Sequence, residues 1–380
     1  MESLMNLNAT DVESFSIDQL ERSGNSTPDI LVGILLGIPT LTIVVGTIAG
    51  NLLVCVAIAH NRQLRKNITN SFCASLAASD LLLGLLVLPV SFGRLVTHSW
   101  ILGTVLCNLF ITLDVFFSTA SILNLFIVSI DRYYAITRPL LYRSIITKRT
   151  AIAMLTVVWI LSALIAFVPI YSGWNTADGR VQNVGNDTCV FAVESVPYSL
   201  TIGVGTFYIP LFILYLMYAK ILRISYGHVK AIRAQTCRST KEWMATAGGG
   251  QPQRTSSHSH NILRQHRATL TLFIIVGAFT LCWLPYFTCF TVNPLHALQL
   301  NPVVEEVFLW MGYSNSFVNP FVYGMTNREY RAAFRRLLCS WKRRSKLSLA
   351  SYSHSQSHTR SDHEHTVMMP NAHETDLICM

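Results

Sequence analysis

The stretch GTVLCNLFITLDVFFSTASILNLFIVSIDRY, residues 103–133, decides how this chain is read. From Gly103 to Ile130 its one charged side chain is Asp114, and it ends on Asp131-Arg132-Tyr133. About 20 such residues in a helix cross the ~30 Å hydrocarbon layer of a bilayer, so the spacing predicts a membrane span over 103–130. Ser118 and Ser121 follow Asp114 at i+4 and i+7 and share its helix face. A carboxylate inside a membrane costs a few kcal/mol even on lenient scales and marks a functional position.

Six more runs of this kind flank it, at about 30–59, 69–93, 150–171, 197–222, 268–291 and 303–325. The last carries polar residues and a proline and is the least apolar of the seven. The expected fold class is therefore an all-α membrane protein, a seven-transmembrane helix bundle. Composition agrees: hydrophobic residues make up 51% of the 380 and charged residues 13%, about half the charge of a soluble protein. That excludes a disordered charged tail, a small disulfide scaffold and most soluble enzymes.

The net charge of +9 lies in the loops. Arg62, Arg65 and Lys66 follow span 1; Arg132, Arg138, Arg143, Lys148 and Arg149 follow span 3; further clusters lie between spans 5 and 6 and after span 7. The alternate loops and the N-terminus are acidic or nearly neutral. Positive loops stay inside, so the N-terminus is expected outside a plasma-membrane protein of several passes. The same pattern argues against nucleic acid as a partner. Residues 1–29 are expected as an extracellular tail without a cleaved signal peptide, 30–325 as the bundle, with a disordered loop over 224–262. Residues 326–339, where Tyr330, Phe334, Leu337 and Leu338 recur at helical spacing, form an amphipathic helix on the inner leaflet, and 340–380 a disordered cytosolic tail. Sequons at Asn8, Asn25 and Asn186 fall outside, as expected of glycosylation sites. Among nine cysteines, Cys107 and Cys189 are the pair on the oxidising side and the expected disulfide. Cys339 is a palmitoylation candidate.

Two readings of Asp114 stand side by side. No Lys or Arg lies at its depth, so a ligand ammonium is the simplest partner, boxed by Trp283, Tyr286, Phe287, Phe290, Trp310 and Tyr313. Alternatively Asp114 bonds Tyr313 as structural glue. Asp80, deeper in span 2, lies at the level of Asn51, Ser121, Asn315, Ser316 and Asn319, a set suited to Na⁺ or to a water-filled network. Prolines 89, 210, 285 and 320 are expected kinks, as hinges or static bends. Arg132 pairs with Asp131 at rest and is free to swing away. No lysine sits in span 7 for a retinal Schiff base, no internal repeat points to a transporter, and no nucleophile–base pair or metal cluster points to an enzyme.

Together these residues resemble the rhodopsin-like G-protein-coupled receptors over about 30–339. The resemblance rests on Gly50-Asn51, Leu76 through Asp80, Cys107, Asp131-Arg132-Tyr133, Trp159, Cys189, Pro210, Tyr218, Cys282 through Pro285, and Asn319 through Tyr323. Asp114, Trp310 and Tyr313 resemble the aminergic group. The stretches 118–136, TFYIPL (206–211), RATLTL (267–272), GAF (277–279) and LWMGYSNSFVNP (309–320) are similar to the type-2 histamine receptors. The resemblance implies a biogenic amine, histamine-like, bound by Asp114 with Val115, Ser118, Thr119, Thr206 and the aromatic box. It implies the stimulatory G protein and cyclic AMP, with receptor kinases and arrestin acting on the Ser-rich tail, and Na⁺ as an allosteric ion rather than a cofactor. Activation would run through Ile122, Pro210, Phe279 and Pro285 to Arg132, Tyr133 and Tyr218, with Pro320 and Tyr323 alongside. Two positions depart from the pattern. Ile202 stands where type-2 histamine receptors carry an acid, which leaves open a trace amine, a serotonin-like ligand or constitutive activity without a natural amine. Gln265 stands where an acid often locks Arg132, and raised basal signalling is expected from it.

Overall fold

The computed structural model describes residues 27–97, 99–179, 181, 183–185, 188–224, 226–227, 257–295 and 301–339, with backbone alone at 27–35, 184–185, 257–273 and 326. The expected N-terminal tail, the bulk of the loop over 224–262, the C-terminal tail and the three sequons lie outside these residues. So does the side chain of Gln265.

Seven long helices form the body. Six are long and apolar enough to cross a membrane among the described residues. They are span 1 (Thr27–His60), span 2 (Ile68–Leu86 continued by Leu88–Thr97), span 3 (Gly103–Thr137), span 4 (Lys148–Tyr171), span 5 (from Val196–Ile202 to residue 224) and span 6 (Ser257–Val292). Span 7 (Pro302–Thr326) is long enough but more polar, since Glu305, Glu306, Asn315, Ser316 and Asn319 lie along it. Span 3 packs on spans 2 and 4, span 1 on span 2, and span 7 closes the ring against spans 1 and 6. The outward faces stay apolar: Ile38, Leu85, Phe212 and Leu281 are all exposed. So much bare hydrocarbon on a soluble monomer would drive association; on this body it is the lipid face.

The prolines act as elementary sterics require. Proline lacks an N–H and its ring crowds the carbonyl four residues back. Span 2 breaks at Val87, two residues before Pro89. Pro320 leaves the Ser316 carbonyl without its helical donor, and the Asn51 side-chain amide from span 1 fills the place at 3.0 Å. Gly50 permits that approach, because a Cβ there would stand 2.8 Å from the Pro320 ring. In span 5, one turn of π-helix occupies Gly203–Tyr208, just before Pro210. Trp159 of span 4 donates to the Ser75 hydroxyl of span 2 at 3.1 Å.

Outside the membrane layer, Cys107 at the head of span 3 is bonded to Cys189, with Cα atoms 5.7 Å apart. Cys189 belongs to a two-stranded hairpin, Val184–Gly185 against Thr188–Cys189. The bridge and the Asn183-to-Asn108 hydrogen bond of 2.9 Å hold the loop to the head of span 3. At the end of the bundle opposite the bridge, residues 328–339 form a short helix. Buried Tyr330 anchors it, stacking on Tyr323 of span 7 at 5.5 Å and donating to Asn70 of span 2 at 3.1 Å.

Candidate functional site

A cavity of about 470 Å³, part of it continuous with solvent, opens between spans 3, 5, 6 and 7. Span 3 contributes Asp114, Val115, Ser118, Thr119 and Ile122, each reachable because i, i+4 and i+8 fall on one side of the helix. Span 6 contributes Trp283, Tyr286, Phe287 and Phe290 at the same period. Phe191 reaches the cavity from the bridged loop.

Asp114 is the acid of this cavity. Its Oδ2 accepts from the Tyr313 hydroxyl at 2.8 Å and its Oδ1 from Ser118 at 3.4 Å. Both partners are neutral, and among the described residues no lysine or arginine pairs with it; the salt bridges there join Arg94 to Glu306 and Arg132 to Asp131. Both readings of Asp114 thus find a counterpart. Tyr313 is indeed its hydrogen-bond partner, and no lysine or arginine among the described residues supplies it with a positive charge. Trp310 and Tyr313, expected in the aromatic box, stand behind the cavity wall. The Tyr313 ring meets Trp283 edge-on at 6.5 Å and Trp310 at 5.5 Å, and Trp310 donates to Glu306 at 3.0 Å. Glu306 is in turn held by Arg94 of span 2 at 2.7 Å. Gly312 lets span 7 approach span 6, since a Cβ there would fall 2.7 Å from the Trp283 ring.

The span 5 wall differs most from expectation. Thr206 lines the cavity, but its hydroxyl donates to the Ile202 carbonyl at 2.6 Å. Ile202 itself faces the cavity with an apolar side chain, and Tyr198 lies eight residues before Thr206. Phe191, Tyr198, Ile202 and Leu309 are lining residues absent from the sequence-based set. Phe191 stands two residues after Cys189, so the disulfide was the available signal for it.

Ile122 at the cavity wall and Phe279 are both buried, and Phe207 joins the layers, stacked on Phe287 at 4.3 Å and 5.8 Å from Phe279. Deeper, Asp80 is fully buried and accepts from Ser121 at 2.8 Å, Ser316 at 2.9 Å and Asn319 at 2.8 Å. Of the expected set, Ser121, Ser316 and Asn319 bond this carboxylate directly, and of the neighbours Asn315 and Ser316 only Ser316 does. Neighbours on a helix point about 100° apart, so only one of the two meets Asp80. Two carboxylate and two hydroxyl oxygens form a donor set that fits a small hard cation.

At the end of the bundle opposite the cavity, Asp131 is fully buried and saturated with donors. Its Oδ2 accepts from Arg132 Nε and from the Thr69 hydroxyl, both at 2.9 Å, and its Oδ1 from the Tyr142 phenol at 2.7 Å. Arg132 also reaches the Thr69 hydroxyl. Burial first, and donation to Asp131 next, raise the Tyr142 phenol above its ordinary range, so it stays protonated and donating. Tyr218 is turned to Ser129 at 3.1 Å, and Lys220 lies 5.5 Å from the Tyr133 ring centroid. Arg132 is thus held by Asp131 and Thr69. Thr69 and Tyr142 escape detection in the sequence because they are 62 and 11 residues from Asp131 and carry no charge.

A ring of membrane-crossing helices, with an aromatic-lined cavity that carries a carboxylate toward one end and an arginine paired to a buried aspartate at the other, defines a seven-helix transmembrane receptor. Residues 50–323 match the 7 transmembrane receptor (rhodopsin family). The chain is 41% identical over 299 residues to the histamine H2 receptor of Rattus norvegicus, covering 78% of this chain and 77% of that one. It is 39% identical over 309 residues to the histamine H2 receptor of Homo sapiens, 79% of each. It is also 39% identical over 310 residues to the 5-hydroxytryptamine receptor 4 of Homo sapiens, 78% of each. The chain belongs to the rhodopsin family of seven-transmembrane receptors. The enzyme class is thereby set aside.

Proposed function

We propose that this chain is a cell-surface receptor for a small protonated biogenic amine, histamine-like, that signals through the stimulatory G protein to raise cyclic AMP. The observation that carries the proposal is Asp114: a carboxylate in an aromatic-lined cavity whose bonded partners are the neutral hydroxyls of Tyr313 and Ser118. An ammonium supplies the missing charge, and the faces of Trp283 and Phe287 add cation–π attraction. The names of the relatives, receptors for histamine and for 5-hydroxytryptamine, support an amine.

The mechanism is a shift between two populations. Ligand held by Asp114 favours repacking of Phe207, Phe279 and Ile122, motion of span 6 about Pro285, and release of Arg132 toward Tyr218 and the G protein. Na⁺ at Asp80, held by Ser121 and Ser316, would favour the resting population. The N-terminus is proposed to lie outside, with glycans at Asn8, Asn25 and Asn186, and the Ser-rich tail to serve receptor kinases and arrestin.

The test is cyclic AMP accumulation in cells expressing wild type or Asp114→Asn, exposed to a panel of biogenic amines at matched surface expression. A response in wild type whose potency falls by two orders of magnitude or more in the variant supports the reading. Silence across the panel, or a response indifferent to the substitution, overturns it.

A further inference from the structure

Spans 5 and 6 are joined by side-chain hydroxyls on the face they turn to lipid. Tyr215 of span 5 is exposed there, and its phenol donates to the Thr280 hydroxyl of span 6 at 3.1 Å. Thr280 gives its own proton to the Val276 carbonyl at 2.8 Å, so toward Tyr215 it only accepts. About two turns further out on span 5, Tyr208 reaches the hydroxyls of Thr288 and Thr291 at 3.4 and 3.5 Å. These two sets of bonds fall on opposite sides of Pro285. Thr280 precedes that proline, on the half of span 6 that runs toward the Arg132 end. Thr288 and Thr291 follow it, on the half that carries Tyr286, Phe287 and Phe290 to the cavity.

Hydrocarbon offers a freed hydroxyl nothing to bond. When the inner half of span 6 swings out about Pro285, Thr280 keeps its bond to Val276, and the Tyr215 phenol is left in lipid without its acceptor. The outer bonds of Tyr208 lie beyond the hinge and are not broken. We propose that the Tyr215–Thr280 hydrogen bond is a latch that holds the inner half of span 6 against span 5 and sets how often the ligand-free receptor opens. This rests on the span 6 motion of the proposed mechanism and supplies a restraint which that motion must break. Both residues act by positioning span 6, and neither touches the ligand cavity.

The test compares wild type with Tyr215→Phe, Thr280→Val, Thr280→Ser, Tyr208→Phe and the double variant Tyr215→Phe/Thr280→Val. Ligand-free cyclic AMP is measured on the full-length chain in cells and normalised to receptor at the surface. Tyr215→Phe and Thr280→Val should each raise it by about two- to fourfold, the size of an average interhelical hydrogen bond in a membrane. The double variant should go no further, because either change removes the same bond. Thr280→Ser keeps the hydroxyl and should hold the wild-type level, as should Tyr208→Phe.

A second reading needs no G protein. Spin labels are placed on Leu222→Cys and Ile274→Cys, exposed positions toward the inner ends of the two spans, with Cys107 and Cys189 the only native cysteines kept and the receptor in lipid nanodiscs. The longer-distance population should grow in Tyr215→Phe and Thr280→Val and stay at the wild-type level in Tyr208→Phe. The inference is overturned if that population is unchanged in the first two variants, or if their cyclic AMP is unchanged where wild type has a basal signal. It is equally overturned if Thr280→Ser behaves as Thr280→Val, if Tyr208→Phe rises with the others, or if the double variant exceeds both singles. Cyclic AMP at the level of untransfected cells in every form would instead overturn the stimulatory-G-protein reading, and the label distances would still decide the latch.

Discussion

Removing the Tyr142 hydroxyl should raise signalling in the absence of ligand. Asp131 holds Arg132 at rest, and Tyr142 is one of three side chains donating to that buried carboxylate. A hydrogen bond to a charged group contributes about 1.5–3 kcal/mol. If Tyr142→Phe forfeits the lower figure in the resting arrangement and nothing once Arg132 has swung away, the balance moves by roughly tenfold. A basal active fraction of about 1% would then become about 10%. Thr69→Val is the companion substitution: its hydroxyl both donates to Asp131 and accepts from Arg132, and it is buried in the first turn of span 2. Ligand-free cyclic AMP, normalised to receptor at the cell surface, is the assay, with agonist affinity as a second reading, since a population already shifted binds agonist more tightly. Basal signal unchanged or lowered in both variants at equal surface expression would refute the assignment of this cluster as a restraint.

Three further outcomes follow from the geometry. Agonist affinity should fall as Na⁺ replaces a bulky organic cation at constant ionic strength, and Asp80→Asn should abolish that dependence; indifference of wild type to Na⁺ removes the ion from the Asp80 site. Gly312→Ala places a methyl 2.7 Å from the Trp283 ring and must displace it, so cyclic AMP dose–response curves should shift by tenfold or more while surface expression is retained. Cys107→Ser and Cys189→Ser each open a bridge across 82 residues, at a cost of about 4.5 kcal/mol on the chain-entropy view; surface expression should drop equally in the two single variants and no further in the double.

Much of this architecture is written in local pattern, and the rest lies where distant segments meet. The seven apolar runs predict the seven helices because a bilayer forces backbone groups to pair within one segment. Asp114 and Asp80 stand out because charge is so rare in those runs. The disulfide follows from topology, as only Cys107 and Cys189 fall together on the oxidising side. Helix phase is harder to read. Asn315 and Ser316 both stood at the level of Asp80 and only Ser316 bonds it, and Trp310 and Tyr313 turn behind the wall they were expected to line, because one residue of rotation decides which neighbour a helix face meets. Loop and cross-helix partners leave no periodic trace, which is why Phe191, Thr69 and Tyr142 needed the folded structure. Tyr215 falls in the same class, since its partner Thr280 lies 65 residues on in another helix.

The π-helical turn at Gly203–Tyr208 carries a consequence for how such receptors diversify. A π turn accommodates one residue more than the α-helix it interrupts. Losing any one residue there would restore the regular helix and rotate everything outward of it by about 100°. Tyr198 and Ile202 would swing away from the cavity, while Pro210 and Tyr218 kept their places on the inner half. Span 5 is thus two independently indexed helices on one axis. The outer one is free to change what it shows a ligand by a single insertion or deletion, and the inner one continues to address the same intracellular machinery.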